Sequence, residues 1–334
     1  MFPIQSSSLC LPSLNGADEQ ERAIVSTLLY YDLFAYPLRA DELVRFVHRD
    51  NATWHLTRSD IAPVSDWWSS SDGYWFLRGR EHLVNLRAER QRDSTKKLAY
   101  ALRWARSLQG VPGVRFIGVT GSLSMHSATP EDDIDLLIIT ACGRLWLTRA
   151  LVLMALWAMR VKRADDGHPQ HPNQACANIF LSEDDLTLPD HNLFIAHEIC
   201  QILPLLGPQT YQRFLDANDW VRGFLPQWKV GASMWQDRRD LRRLQRAAEA
   251  ALWPAGDALE REAMRRQLRR IQSKHARGHN PDVRLSPTQL RFHPRDISQC
   301  IVGEFEARWN ALDAVPVESK VPNSSLELEL VETW

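Results

Sequence analysis

Apolar periodicity is absent from residues 1–18, which mix Ser, Pro and Leu and predict a flexible leader. From Glu19 the apolar positions Ile24, Leu28 and Tyr31 recur at helical spacing, and Ala35-Tyr36-Pro37-Leu38 ends that helix. A second helix is predicted from Ala40 through Leu43, Phe46 and Val47, and a third over Arg58 to Trp68. Asp72-Gly73 is a turn signal before the aromatic strand Tyr74-Trp75-Phe76-Leu77, which Gly79 closes. A long charged helix follows over about 81–108, stopped by Gly110, Pro112 and Gly113. Two nearly continuous apolar, β-branched runs, 114–120 (VRFIGVT) and 134–140 (IDLLIIT), read as buried strands of a covered sheet. A core helix is predicted over 144–161 and a third strand over 177–181 (ANIFL). Everything after Pro189 reads as helical, with amphipathic segments at 190–206, 208–224, 237–252 and 256–277. The tail from Ala314 is polar and loose, with an alternating end (LELELV) that suits an edge strand.

Three short helices followed by a hairpin-like strand is the order of a winged helix-turn-helix. The pattern predicts such a module over 19–80, used either on DNA or for packing. Its third helix (TRSDIAPVSDWW) carries one basic residue against two acidic ones. A groove-reading helix faces phosphates with more cations than that, so packing is the favoured role and nucleic acid is not the favoured partner.

The net charge of -1 across 334 residues argues against a protein built mainly to coat nucleic acid. Five scattered cysteines, none in C-x-x-C spacing, fit reduced thiols in the cytoplasm better than a disulfide framework. The most apolar run, 145–161, is interrupted by Arg149 and Arg160, which predicts a buried helix and no membrane span. The expectation is a soluble cytoplasmic protein.

The candidate chemistry lies in 118–140, GVTGSLSMHSATPEDDIDLLIIT. One buried strand ends in Gly121-Ser122, and ten residues later another opens with Asp133-Ile134-Asp135. Carboxylates at i and i+2 on a strand point to one face. Held close together they repel unless a cation sits between them. Paired oxygen ligands suit Mg²⁺, which takes one or two carboxylates together with substrate phosphates and waters. Gly121 permits close backbone approach to a phosphate, and Ser122 can hydrogen-bond its oxygens.

An apolar strand, Gly-Ser, about ten residues and then Asp-apolar-Asp on the next strand resembles the signature of the DNA polymerase β nucleotidyltransferase superfamily. The spacing is most similar to that of the minimal and the antibiotic nucleotidyltransferases. The likeness is specific over 114–140 and extends to about 182. More widely, the chain resembles a bacterial group of nucleotidyltransferase-domain proteins. The resemblance implies a small mixed sheet over 81–188 between the N-terminal module and a helical domain over 189–313, an α/β (α+β) fold. It implies that Ser122 contacts the triphosphate of an NTP and that Asp133 and Asp135 hold Mg²⁺ or Mn²⁺. The reaction implied is transfer of a nucleoside monophosphate to an acceptor hydroxyl, on a small molecule or protein, with release of pyrophosphate. Many members carry a third acid on the following strand, where this chain has Asn178. A non-catalytic nucleotide- or nucleic-acid-binding regulator on the same fold is therefore the second reading.

The antibiotic nucleotidyltransferases use a helical Glu, and Glu198 in HNLFIAHEIC resembles it; a solvated surface Glu is the plainer alternative. Glu183 and Asp184 lie just past the third strand. Asp132 is expected to face away from the pair. Arg144 and Arg149 open the core helix and suit either phosphate contact or ordinary ion pairs. His168 and His171 lack a third zinc ligand nearby, and the cluster His279, Pro281, His293, Pro294 and Asp296 suggests no mechanism. Residues 237–277 hold eleven Arg and one Lys against six acids, which suits an RNA or acidic partner, or simply a solvated face.

Overall fold

The computed structural model describes residues 14, 16–49, 54–163, 172–231, 238–275, 282–293 and 297–313. The paired-histidine loop, Cys10, most of the leader, the tail beyond 313 and His279, Pro281, Pro294 and Asp296 lie outside the described residues. Within the leader, Leu14 is buried in the core. Asp18 caps α1 (Glu19–Asp32) through a reciprocal pair of hydrogen bonds with Glu21.

After α1 come β1 (Leu38–Arg39), α2 (Ala40–Arg45), a 3-10 turn at Arg58–Asp60, β2 (Trp68–Ser71) and β3 (Tyr74–Leu77). The three strands pair antiparallel in the order β1-β3-β2. The helix expected over 58–68 does not form. Pro63 cannot serve a helix interior, and the chain from Trp68 is extended against Leu77 instead.

Helix α3 (Leu83–Leu108) leads into β4 (Val114–Val119), the short α4 (Gly121–Ser124), β5 (Ile134–Thr140), α5 (Leu145–Ala158) and β6 (Ala175–Ser182). Then follow α6 (Leu193–Gln201), β7 (Leu203–Leu206), α7 (Pro208–Ala217) and a 3-10 turn at Asp219–Gly223. The remaining elements are α8 (Arg239–Leu252), α9 (Gly256–His275), β8 (Asp282–Leu285), β9 (Gln289–His293) and α10 (Ile297–Asp313). The larger sheet has the order β7-β4-β5-β6-β9-β8 and is mixed: β5 and β6 run parallel, the other neighbours antiparallel. The C-terminal half is therefore not all helical. Pro204 disfavours helix at the residue before it, so the helix expected to 206 stops at Gln201, and residues 203–206 become the sheet edge, where a proline is tolerated. The hairpin β8–β9 extends the opposite side.

The sheet is covered on both faces. Leu136, Ile138, Ile117 and Val119 pack with Trp104 and Leu108 of α3, Leu145 and Val152 of α5 and Ile271 of α9. On the other face Phe116, Leu137, Ile139 and Leu181 pack with α1, α6, α7 and α10. That second core runs without a break from Leu14 through Trp68 to Trp309, so the N-terminal segment and the C-terminal helices share one interior with the sheet. Among the described residues no helix is long and apolar enough to cross a membrane.

Candidate active site

The end of β4 and the start of β5 are adjacent in an antiparallel pair, and Thr120 N–H extends the ladder by donating to the Asp135 carbonyl (3.1 Å). The loop that leaves β4 is thereby laid against the first turn-out of β5. Gly121 adopts φ +66°, and a Cβ added to it would lie 2.9 Å from Asp135 Oδ2. Both the left-handed backbone and the closeness of that carboxylate require glycine here.

Asp135 shares its face of β5 with Leu137 and Ile139, the face covered by α6. Asp133, Asp135 and Cys176 on the neighbouring parallel strand place one ligand atom each within 4.8 Å of one another. Burial, then the charge of Asp133, pushes the Asp135 carboxyl up to about 8, although the Cys176 thiol donates to it and Arg163 lies nearby. Burial and the two aspartates likewise hold the Cys176 thiol well above its ordinary range, in its protonated form. Arg163 offsets part of the charge, with Nε 3.2 Å from Asp133 Oδ2 and Nη1 donating to Cys176 Sγ at 3.6 Å.

Strand β6 bulges opposite this point. Leu136 pairs with Ala177 and Leu137 with Ile179, which leaves Asn178 as the extra residue. The bulge aims Asn178 at the acids: Nδ2 donates to Asp135 Oδ1 at 2.7 Å. Its own Oδ1 is buried and accepts no hydrogen bond from the described residues. An orphaned amide oxygen beside two carboxylates is a hard oxygen donor of the kind that Mg²⁺ or Mn²⁺ takes.

The Ser122 hydroxyl donates to Asp132 Oδ2 (3.0 Å). Asp132 also accepts from the Thr129 N–H and hydroxyl, both at 2.9 Å. Asp132, expected to face away from the pair, thus closes the loop between the strands. Lys97 of α3, 2% exposed, donates to the Pro130 and Asp132 carbonyls and to Asn173 Oδ1. The Tyr36 hydroxyl donates to the Met125 carbonyl from the N-terminal segment. Three parts of the chain therefore hold one loop.

Glu198 is half-buried rather than fully solvated. It lies on α6, over the aspartate face, and its charge pushes Asp135 up further. Burial alone raises its own carboxyl to about 7. Arg144 is elsewhere. It follows the far end of β5, about 20 Å from Asp135 at roughly 3.3 Å per residue, ion-paired to Asp257 and stacked over Trp253. Arg149 faces Phe180 and Phe292 within the layer of α5 and β6. Neither cation is part of this site. Glu183 binds Thr210, Arg213 and Arg115, also at the far end of the sheet. The structure thus gathers Gly121, Asp133, Asp135 and Glu198 and sets Arg144 apart.

Cys176, Arg163 and Lys97 went unnoticed in the sequence, since each acts through a partner distant in the chain. Asp132 had a local signal, because a carboxylate three residues after Thr129 reaches back to its amide. Compared with protein-family models, with curated proteins and with solved structures, the chain matches none.

Proposed function

We propose that the chain is a Mg²⁺- or Mn²⁺-dependent nucleotidyltransferase that moves a nucleoside monophosphate from an NTP to an acceptor hydroxyl. The observation that carries this reading is the meeting of Gly121 with Asp135, a glycine loop pressed onto one member of a close carboxylate pair. The Gly-Ser…Asp-x-Asp resemblance adds to it. Asp133 and Asp135 would hold the cation, with the Asn178 oxygen in the place of a third acid. Bound there, the ion supplies positive charge for the triphosphate oxygens. Gly121 would let the backbone approach a phosphate, and the Ser122 hydroxyl would have to leave Asp132 to donate to it.

Glu198 has a carboxyl held at about 7 by burial, near the pH at which a general base is most effective. The acceptor oxygen attacks the α-phosphorus and forms the new P–O bond. The bond from that phosphorus to the β-phosphate oxygen breaks, its electron pair leaves with pyrophosphate, and the acceptor proton passes to Glu198. Such a base contributes about 10²–10⁴-fold.

The test is pyrophosphate release from each NTP with Mg²⁺ or Mn²⁺ and lysate fractions as acceptor source. Asp133→Asn and Asp135→Asn should each abolish it with the fold intact, and Glu198→Gln should slow it by about 10²–10⁴-fold while NTP binding survives. Unchanged release in both aspartate variants would end this reading. Asn178 favours the alternative of a nucleotide-binding regulator without catalysis, which NTP binding with no release under any condition would support.

A further inference from the structure

A cavity of about 110 Å³ lies on the α6 side of the sheet. Thr120 and Leu137 are among the residues that line it. Thr120 is bonded to Asp135 and precedes Gly121, while Leu137 is the next residue along the same face of β5. The lining therefore includes near neighbours in the chain of the proposed cation site. Glu198 lies in its wall. The other walls are largely aliphatic and aromatic, among them Ile179, Phe194, Ile195 and Ile202. Asp190, held by Arg284 and Arg291, stands at a polar side.

We infer that this cavity is the acceptor pocket and that the acceptor is a small alcohol with an apolar body. The inference rests on the nucleotidyltransferase reading. Apolar walls return little to a sugar or a polycation, whose polar groups would lose water without gaining partners. They favour a hydrocarbon frame. An apolar cavity of about 150 Å³ accommodates benzene, so this one fits a body of about the size of a five-membered ring or a branched chain. Of the two carboxylates that line it, Asp190 and Glu198, Glu198 has no hydrogen-bond partner among the described residues, and an acceptor hydroxyl donating to it would satisfy both groups. Glu198 thus fixes which end of the alcohol faces the nucleotide, and the walls fix the size of the rest.

The test uses the full chain with Mg²⁺, an NTP and two probes of equal size, cyclopentanol and cyclopentanone. Both should bind at millimolar concentration in ligand-observed NMR, and cyclopentanol alone should raise pyrophosphate release, by tenfold or more. In Glu198→Gln both probes should still bind, with the stimulation by cyclopentanol lost. Ile195→Phe, which narrows the cavity, should weaken both probes by at least tenfold and leave Mg²⁺-dependent NTP binding unchanged. If the nucleotide binds and neither probe does, or if both probes stimulate equally, the acceptor inference is overturned and the nucleotidyltransferase reading stands. If the probes bind as described and no NTP binds with either metal, the nucleotidyltransferase reading falls. Should Ile195→Phe fail to fold, the alcohol–ketone comparison on the wild-type chain decides by itself.

Discussion

Gly121 and Asp135 show how one residue's geometry sets another's chemistry. Gly121→Ala adds about 1–2 kcal/mol of left-handed strain and a methyl group 2.9 Å from Asp135 Oδ2. Displacing a reacting group by about 1 Å costs roughly 10² in rate, so turnover should fall by that order. Gly143→Ala is the control: φ is also positive, +61°, but nothing lies within 4 Å of the added carbon and the site is at the far end of β5. That variant should lose stability similarly and keep full activity; equal losses in both would show that strain alone matters. Asp135 carries a second prediction. Its folded carboxyl is held at about 8, above the ordinary unfolded value near 4. Between those limits the folded state binds the extra proton, so its stabilisation is complete below about pH 4 and is lost as pH rises through 8. In EDTA, the melting temperature of wild type should therefore drop between pH 6 and 8, and Asp135→Asn should drop less. A parallel decline in the two proteins would refute the raised carboxyl.

At the scale of elements, α6 does two jobs with adjacent residues. Glu198 faces the cavity, while His197 turns inward toward α1 and the segment after α2. His197 Nε2 and His48 Nε2 are 2.8 Å apart, His48 Nδ1 meets Ser26 Oγ at 2.8 Å, and His197 Nδ1 meets the Tyr31 hydroxyl at 3.2 Å. Tyr30 stacks on His197 at 4.0 Å between ring centroids. Two nitrogens sharing one hydrogen bond require one donor and one acceptor, so the two imidazoles cannot both be protonated. Burial pushes His48 down to about 3, and burial together with His48 holds His197 well below its usual range. The unfolded chain takes up these protons near pH 6.5, so stability is full above that value and declines as pH falls from 6.5 toward 3, by up to about 1.4 kcal/mol per unit for each histidine. Urea midpoints at pH 7 and 5 should differ less in His48→Gln than in wild type, although the variant is weaker at both. An equal difference would mean that the pair is not what senses acid.

For the whole molecule, the decisive feature is the shared core. Residues 14–80 bury Leu28, Leu29, Tyr31 and Trp68 in the same cluster as Leu137, Leu181 and Ile199. A chain of residues 81–334 would expose the α6 side of the sheet and should bind a hydrophobic dye and unfold without cooperativity. A cooperative transition with intact pyrophosphate release would show the N-terminal segment to be independent. The same packing favours an internal role for that segment: its expected third helix is a single 3-10 turn, with little surface to offer a DNA groove.

Local pattern alone determined much of this. The apolar runs of β4, β5 and β6, the long α3 and the Gly-Ser…Asp-x-Asp spacing are all readable because a buried strand, an amphipathic helix and a glycine turn each leave a signature over a few consecutive residues. β7 and the loss of the helix after Arg58 were partly readable too, in Pro204 and Pro63. Tertiary structure alone decided which of the candidate groups meet. Arg144 and Glu198 look equally plausible in sequence, yet strand direction sends Arg144 to the far end of β5 and α6 brings Glu198 over the acids. The Asn178 bulge, the Lys97 clamp on residues 130–132 and the cavity have no local signature, because each depends on the register of neighbouring strands or on contacts between residues tens of positions apart. A carboxyl's affinity for its proton is set in the same way: burial and the nearest charge hold Asp135 at about 8, and both come from the fold.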